Sequence, residues 1–397
     1  MSAQTSFVPI TIRGRYLWRG DSRFFVRGVV YQASERFNHI LDPITDDRLP
    51  QLKQDVLLFK DLGLNTIFVY SIDNTKPHVQ TMMLLEEAGI YVLTSVAIPM
   101  TSIRRKDPYK SYNSTTIKSF FKTVDLMASF PNTLGLLAAS LTVNNDAFLS
   151  APPVLKTVVR DLKRYMKLKN EIAGQRTLPI AYNATSTKAR DVTILDYLSC
   201  GDKSTSIDFW TCQNFLWSGQ SSMAISGYDQ MIKRLEHATI PIFFTEYGAN
   251  VHQPRLFQET KAIYSPQMSH VISGGCVYEF WQGTNMYGLV EMIEHGRDPK
   301  WSSYQASLAR ADDPSKTIEK RETEHGLFLI FHDFENYKAS LAATRDAESD
   351  WDRGLVEPEI VQEASVDTTQ ISWPWEPEFR EPESCIDWEQ TEKSLRE

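Results

Sequence analysis

The sequence predicts an α/β fold, a (β/α)8 TIM barrel with a C-terminal extension, and three observations predict it. Eight short runs rich in β-branched and aromatic residues recur through the first three quarters of the 397-residue chain. Most are near-continuously apolar rather than alternating, the pattern of parallel strands buried on both faces. Segments of helical period separate them, and strand alternating with helix eight times is the barrel repeat. A doubly wound open sheet is the alternative, but no Gly-rich phosphate loop follows the first run.

Taken in order, the strand runs are Phe24–Tyr31, Asn65–Ile72, Tyr91–Val96, Thr133–Ser140, Leu178–Ala184, Ser206–Asn214, Pro241–Tyr247 and Gly274–Trp281. Helical segments Leu52–Leu62 and Thr81–Ala88 each stop at a glycine, Gly63 and Gly89, the usual C-cap signal. Lys118–Ser129 has apolar residues near i, i+3 and i+4, and Pro153–Met166 opens with a helix-start proline. Beyond Val290 the pattern loosens. Arg297–Thr323 is charged and reads as a long loop, and Leu327–Ala343 as a last strand and a closing helix. From about Glu348 the chain is acidic and proline-bearing, with Trp351, Trp373, Trp375 and Trp388. That composition favours an extended or disordered tail. The alternative is a strap that lays its tryptophans on the barrel or on a partner. The expected division is a lead-in over 1–23, a barrel over 24–345 and a tail over 346–397.

The chain is 42% hydrophobic and 11% aromatic, with net charge −8 and pI near 5.6. Phosphate binding needs a basic footprint, so no nucleic-acid partner is expected. The basic runs Arg104-Arg105-Lys106 and Lys163-Arg164 are isolated and read as solvated faces. The N-terminus lacks an apolar h-region, no stretch reaches membrane-helix length, and the C-terminus offers no hydrophobic lipid-anchor tail. No membrane partner and a cytoplasmic location are therefore expected. The four cysteines show no metal-ligand spacing, and no metal or organic cofactor is implied. The oligomeric state is not legible.

Several blocks, among them FFVRGVVYQ (Phe24–Gln32), DLGLNTIFVYSID (Asp61–Asp73), APPVLKTVVRDLKRY (Ala151–Tyr165), IPIFFTEYGAN (Ile240–Asn250), SGGCVYEF (Ser273–Phe280) and NMYGLV (Asn285–Val290), resemble the fungal β-1,3-glucanosyltransferases of glycoside hydrolase family 72 in order and spacing. The resemblance runs from about residue 24 to about 343. It implies a retaining site with two carboxylates at the C-terminal mouth, one ending strand four and one ending strand seven. One attacks the anomeric carbon. The other protonates the leaving oxygen and then deprotonates the acceptor from roughly 5 Å away.

The strand-seven carboxylate falls on Glu246. At the strand-four end, where the family carries Gly-Asn-Glu, the asparagine position falls on Ser140 and the acid/base position on Leu141; the nearest acid is Asp146. A leucine transfers no proton, and general acid help is worth roughly 10²–10⁴ in rate. The family's strand-two arginine falls on Phe68, while Tyr70 and Asp73 remain; its strand-three aspartate falls on Ser95. On strand six, Gln213 stands where asparagine is expected and Phe215 lacks a tyrosine hydroxyl. Tyr31, Tyr247, Tyr278 and Trp281 complete the expected binding wall. The family's bridge positions fall on Leu52 with Thr81 and on Ser218 with Ala249, and Cys200 matches half of a third, so two bridges are lost whole.

Four readings follow. The first is a glucanosyltransferase-like pseudoenzyme with a small-molecule or oligosaccharide ligand at the barrel mouth. The second is a repurposed enzyme of isomerase, cyclase or dehydratase type. There Glu246, its pKa raised well above about 4.3 by apolar neighbours, acts as general acid/base on a hydrophobic small molecule. The third is residual glucanosyltransferase or glucan-hydrolase activity through Glu246. The fourth is an interaction protein whose tail is the working part.

Overall fold

Antiparallel strands β1 (Ile10–Arg13), β2 (Tyr16–Arg19) and β3 (Ser22–Phe24) open the chain as a small sheet, where the sequence predicts only a lead-in. Eight parallel strands then close a barrel in the computed structural model, which describes residues 7–32, 42–98, 101–296, 300–345 and 379–397. They are β4 (Val26–Val30), β5 (Thr66–Val69), β6 (Tyr91–Ser95), β7 (Thr133–Ser140), β8 (Ile180–Ala184), β9 (Phe209–Asn214), β10 (Ile242–Tyr247) and β11 (Ile272–Val277). Each predicted run contains or overlaps one of them. β11 pairs with β4 in register from Gly274↔Val26 to Val277↔Val29, which closes the ring.

Successive strand residues face opposite sides, so two apolar layers form. The inner layer packs Val26, Val30, Phe68, Leu93, Leu137, Phe209 and Phe243 together with Ile10, Leu17 and Phe24 of the opening sheet. That sheet sits against the strands' N-terminal ends: Tyr91, the first residue of β6, packs against the Phe7 and Phe24 rings, and its hydroxyl donates to Val8 O at 2.5 Å. The outer layer lies between strands and helices. Interior space is tight at Gly28, where a Cβ would meet Cys276 Sγ at 2.5 Å and Thr66 O at 2.9 Å.

The helices follow from the sequence with longer ends. Leu49–Leu62 terminates at Gly63, whose φ of 75° lets its N–H reach Lys60 O. Ala151–Ala173 begins with proline in its first turn and ends at left-handed Gly174, extending the Pro153–Met166 prediction at both ends.

Two expectations are corrected. Within Arg297–Thr323 the chain forms a helix, Ser302–Ala311, and a strand, β12 being Val290–Glu294, β13 Thr317–Thr323 and β14 Gly326–Phe331, in sheet order β12-β14-β13. β13 is an edge strand exposed at most positions, so it lacks an apolar alternation to read. The end of the tail is not extended. A helix, Trp388–Arg396, docks on the barrel's outer helices, with the Trp388 ring 6.1 Å from Phe121 and the Arg164 guanidinium 4.4 Å from the indole. Trp351, Trp373 and Trp375 lie outside the described residues.

Candidate active site

A cavity of about 770 Å³ opens at the C-terminal ends of the barrel strands. Phe68, Tyr70 and Ser71 line it from the end of β5, Ser95 from β6, Ala138 to Thr142 from β7, Gln213 from β9, Glu246 from β10 and Tyr278 from beyond β11. This is the face on which (β/α)8 enzymes place their chemistry, because the βα loops there come from eight separate strands.

Glu246 owes its aim to a β-bulge. β10 pairs with β9 as Phe244↔Cys212 and then Glu246↔Gln213, so one extra residue, Thr245, is inserted. Thr245 turns into the barrel and donates to Asn183 Oδ1 at 2.7 Å. Glu246 follows it inward and is only 5% exposed. Tyr70 Oη donates to Glu246 Oε1 at 2.8 Å, and Gln213 Nε2 donates to Oε2 at 2.8 Å. Burial raises the Glu246 pKa, and these two hydrogen bonds oppose the rise by favouring the carboxylate. Burial first, and then the Glu246 charge, push the Tyr70 hydroxyl well above its ordinary value, so it stays a donor.

The facing wall is different in kind. Ser140 accepts from Asn183 Nδ2 at 2.8 Å, and Asn183 itself accepts from Thr211 and Thr245 inside the barrel. Leu141 follows with φ 53°, left-handed backbone that non-glycine residues seldom adopt. Its N–H is fixed to Asn183 O at 2.8 Å, and the residue lines the cavity. Asp146 gives no substitute: its side chain is 83% exposed and pairs with Arg190 at 3.1 Å. Among the described residues Glu246 is the sole carboxylate in the cavity wall.

Two features escaped the sequence reading. Glu279, just past β11, is buried behind the wall, and its Oε1 has no hydrogen-bond partner among the described residues. Burial and the Glu246 charge hold its pKa up at about 7, against a lowering by Arg255. Its signal lay within SGGCVYEF, one residue after Tyr278. The second feature is Arg104-Arg105-Lys106. Arg104 and Lys106 are exposed, as the expected solvated face would be, and all three residues also line the cavity.

Of the predicted site residues, Tyr70, Ser140, Leu141, Gln213, Glu246 and Tyr278 come together in the wall. Phe215 stands edge-on to Tyr278, 6.1 Å between ring centres, and flanks it. The others do not join. Tyr247 follows Glu246 and so points outward, where its hydroxyl meets Thr260 at 3.1 Å. Tyr31 likewise turns to the helix layer and donates to Asp55 Oδ2 at 2.6 Å. Trp281 packs edge-on against Phe280 and Phe328, away from the cavity. Asp73 lies in a turn, accepting from Thr75 Oγ1 at 2.6 Å. Among the described residues no His, Cys, Asp or Glu cluster suits a metal ion.

Comparison with known proteins identifies the family and agrees with the barrel fold. The family model described as glucanosyltransferase matches residues 1–312. The chain is 36% identical over 317 residues to the 1,3-beta-glucanosyltransferase gel1 of Aspergillus fumigatus, covering 79% of this chain and 68% of that protein. It is 40% identical over 295 residues to the 1,3-beta-glucanosyltransferase PGA4 of Candida albicans, covering 74% and 64%. The solved structure of Saccharomyces cerevisiae Gas2p with laminaripentaose superimposes with a TM-score of 0.71 at 30% identity, over 85% of this chain and 70% of that one. The chain thus spans about two thirds of the length of these relatives.

Proposed function

This chain belongs to the glucanosyltransferase family, glycoside hydrolase family 72, and from that premise we propose that it binds a saccharide at the barrel mouth without performing β-1,3-glucan transfer. One observation carries the reading: the cavity wall offers Glu246 on one side and, on the strand-four side, Leu141. Retaining transfer needs a nucleophile and a second carboxyl that first gives and then takes a proton. Glu246 has the surroundings of the first, held by Tyr70 and Gln213. The alkyl side chain of Leu141 can neither protonate the leaving oxygen nor activate an acceptor. Binding of laminari-oligosaccharides by Gas2p supports a sugar chain as ligand class.

Incubation with laminaritetraose, followed by mass spectrometry of the products, tests this. Unchanged substrate is expected. Longer and shorter chains that vanish in Glu246→Gln would refute it.

Burial of Glu246 favours a second reading, in which the residue serves as a general acid/base on a less polar molecule, in isomerase, cyclase or dehydratase chemistry. A titrated Glu246 pKa at the ordinary glutamate value removes its basis. A reducing compartment such as the cytoplasm is the location we propose; four unbridged cysteines support it.

A further inference from the structure

We propose that the ligand of the barrel mouth is an anion, a body bearing a phosphate or carboxylate group that Arg104, Arg105 and Lys106 hold at the rim while the body lies over Phe68 and Leu141. The saccharide nature of that body rests on the reading above; the negative charge does not.

Three consecutive cations line one cavity on the loop that follows β6. Among the described residues none of them pairs with an acid. Elsewhere in this acidic chain, net −8, several arginines meet carboxylates, Arg190 with Asp146, Arg255 with Asp333 and Arg310 with Glu291, while the buried Lys156 meets the carbonyl oxygens of Tyr197 and Cys200. Three consecutive like charges repel one another, and a bound counter-charge relieves that repulsion. The wall does not supply one. Its single carboxylate, Glu246, is engaged by Tyr70 and Gln213.

The rim is also partly organised. The Arg105 guanidinium stands 5.8 Å from the Phe148 ring. The Arg104 backbone N–H donates to Ser111 Oγ at 2.9 Å, which fixes the turn that presents the run. Guanidinium forks match phosphate and carboxylate oxygens two at a time. A cavity of about 770 Å³ has the size of a small-molecule site rather than of a protein-docking groove. Between rim and Glu246 the wall is largely apolar, with Phe68, Ile103, Ala138 and Leu141, so a ligand charged at one end and weakly polar at the other fits it.

Calorimetric titration of the full chain with glucose 6-phosphate, glucuronate and glucose tests the proposal. The two anions are expected to bind about tenfold or more tighter than glucose, with the preference shrinking as salt rises from about 20 to about 500 mM. The triple variant Arg104→Gln/Arg105→Gln/Lys106→Gln, its fold checked by circular dichroism, should lose that preference, anion and neutral sugar then binding alike. Equal affinities for anion and neutral sugar, or an anion preference that survives the triple variant, would overturn it. Inorganic phosphate binding as tightly as every larger anion would also overturn it, because the body would then contribute nothing. 8-Anilinonaphthalene-1-sulfonate separates the two readings: if it binds through the same three cations while glucose 6-phosphate and laminaritetraose do not, the anion site stands and the saccharide reading fails.

Discussion

The two sides of the barrel mouth, the end of β10 and the end of β7, have been treated in opposite ways. At β10 a bulge, two hydrogen-bond donors and deep burial are all spent on holding one carboxylate. At β7 the pairing to β8 also shifts register, between Leu137 and Ala139, and the backbone at Leu141 still takes a left-handed turn. Yet that turn delivers an alkyl group. Both strand ends thus depart from regular pairing, while the described carboxylate sits at one of them. Backbone positioning and proton chemistry are separable properties of a barrel mouth.

The strongest way to break this contrast is to put the proton back. Leu141→Glu with Ser140→Asn is expected to raise laminaritetraose transfer from undetectable by about 10²–10⁴-fold, the worth of general acid help, read by chromatography of products. No gain would mean that the β7 turn no longer aims its residue at Glu246.

Burial on the β10 side sharpens the contrast through pH. The Glu279 carboxyl, held at about 7 in the folded chain, keeps a proton that the unfolded chain releases near its ordinary value. Its contribution to stability is therefore complete at acid pH and falls as pH rises from about 4.5 to about 7, by at most about 3 kcal/mol. Glu279→Gln should flatten that slope, seen as the difference between variant and parent in denaturant midpoints across the window. Parallel curves would contradict the assignment.

Tyr70→Phe removes a bond to the charged form of Glu246, worth about 1.5–3 kcal/mol when the partner is ionised. The Glu246 pKa should move further up, measured by carbon-13 NMR with Glu246→Gln to assign the resonance. A downward move would show that Tyr70 is not the stabilising donor. The smallest effect belongs to the opposite wall. Leu141→Asn, which tolerates the left-handed turn better, should raise stability by under about 1 kcal/mol in thermal melts. Clear destabilisation would show that the leucine's packing outweighs its backbone cost.

Much of this was legible in the residues. The eight strands announce themselves because both faces of each are buried, and Glu246, Tyr70, Gln213, Ser140 and Leu141 fall at strand ends where a barrel gathers them. Tyr247 was misassigned for a geometric reason: past the bulge at Thr245 the ordinary alternation resumes, so the residue after Glu246 turns to the opposite face. Glu279 and the Arg104–Lys106 run were harder. Their positions depend on loops, whose paths no periodicity records. β13 escaped because an exposed edge strand borrows its burial from its partner β14.

The small opening sheet has one more effect. Phe7, Ile10, Leu17 and Phe24 pack with Tyr91 beneath the apolar layer that fills the barrel, so among the described residues the core is closed below the mouth. Whatever settles beside Glu246 therefore leaves through the mouth by which it entered, and water it displaced returns the same way. Residence time at the bottom is then governed by traffic at the lip.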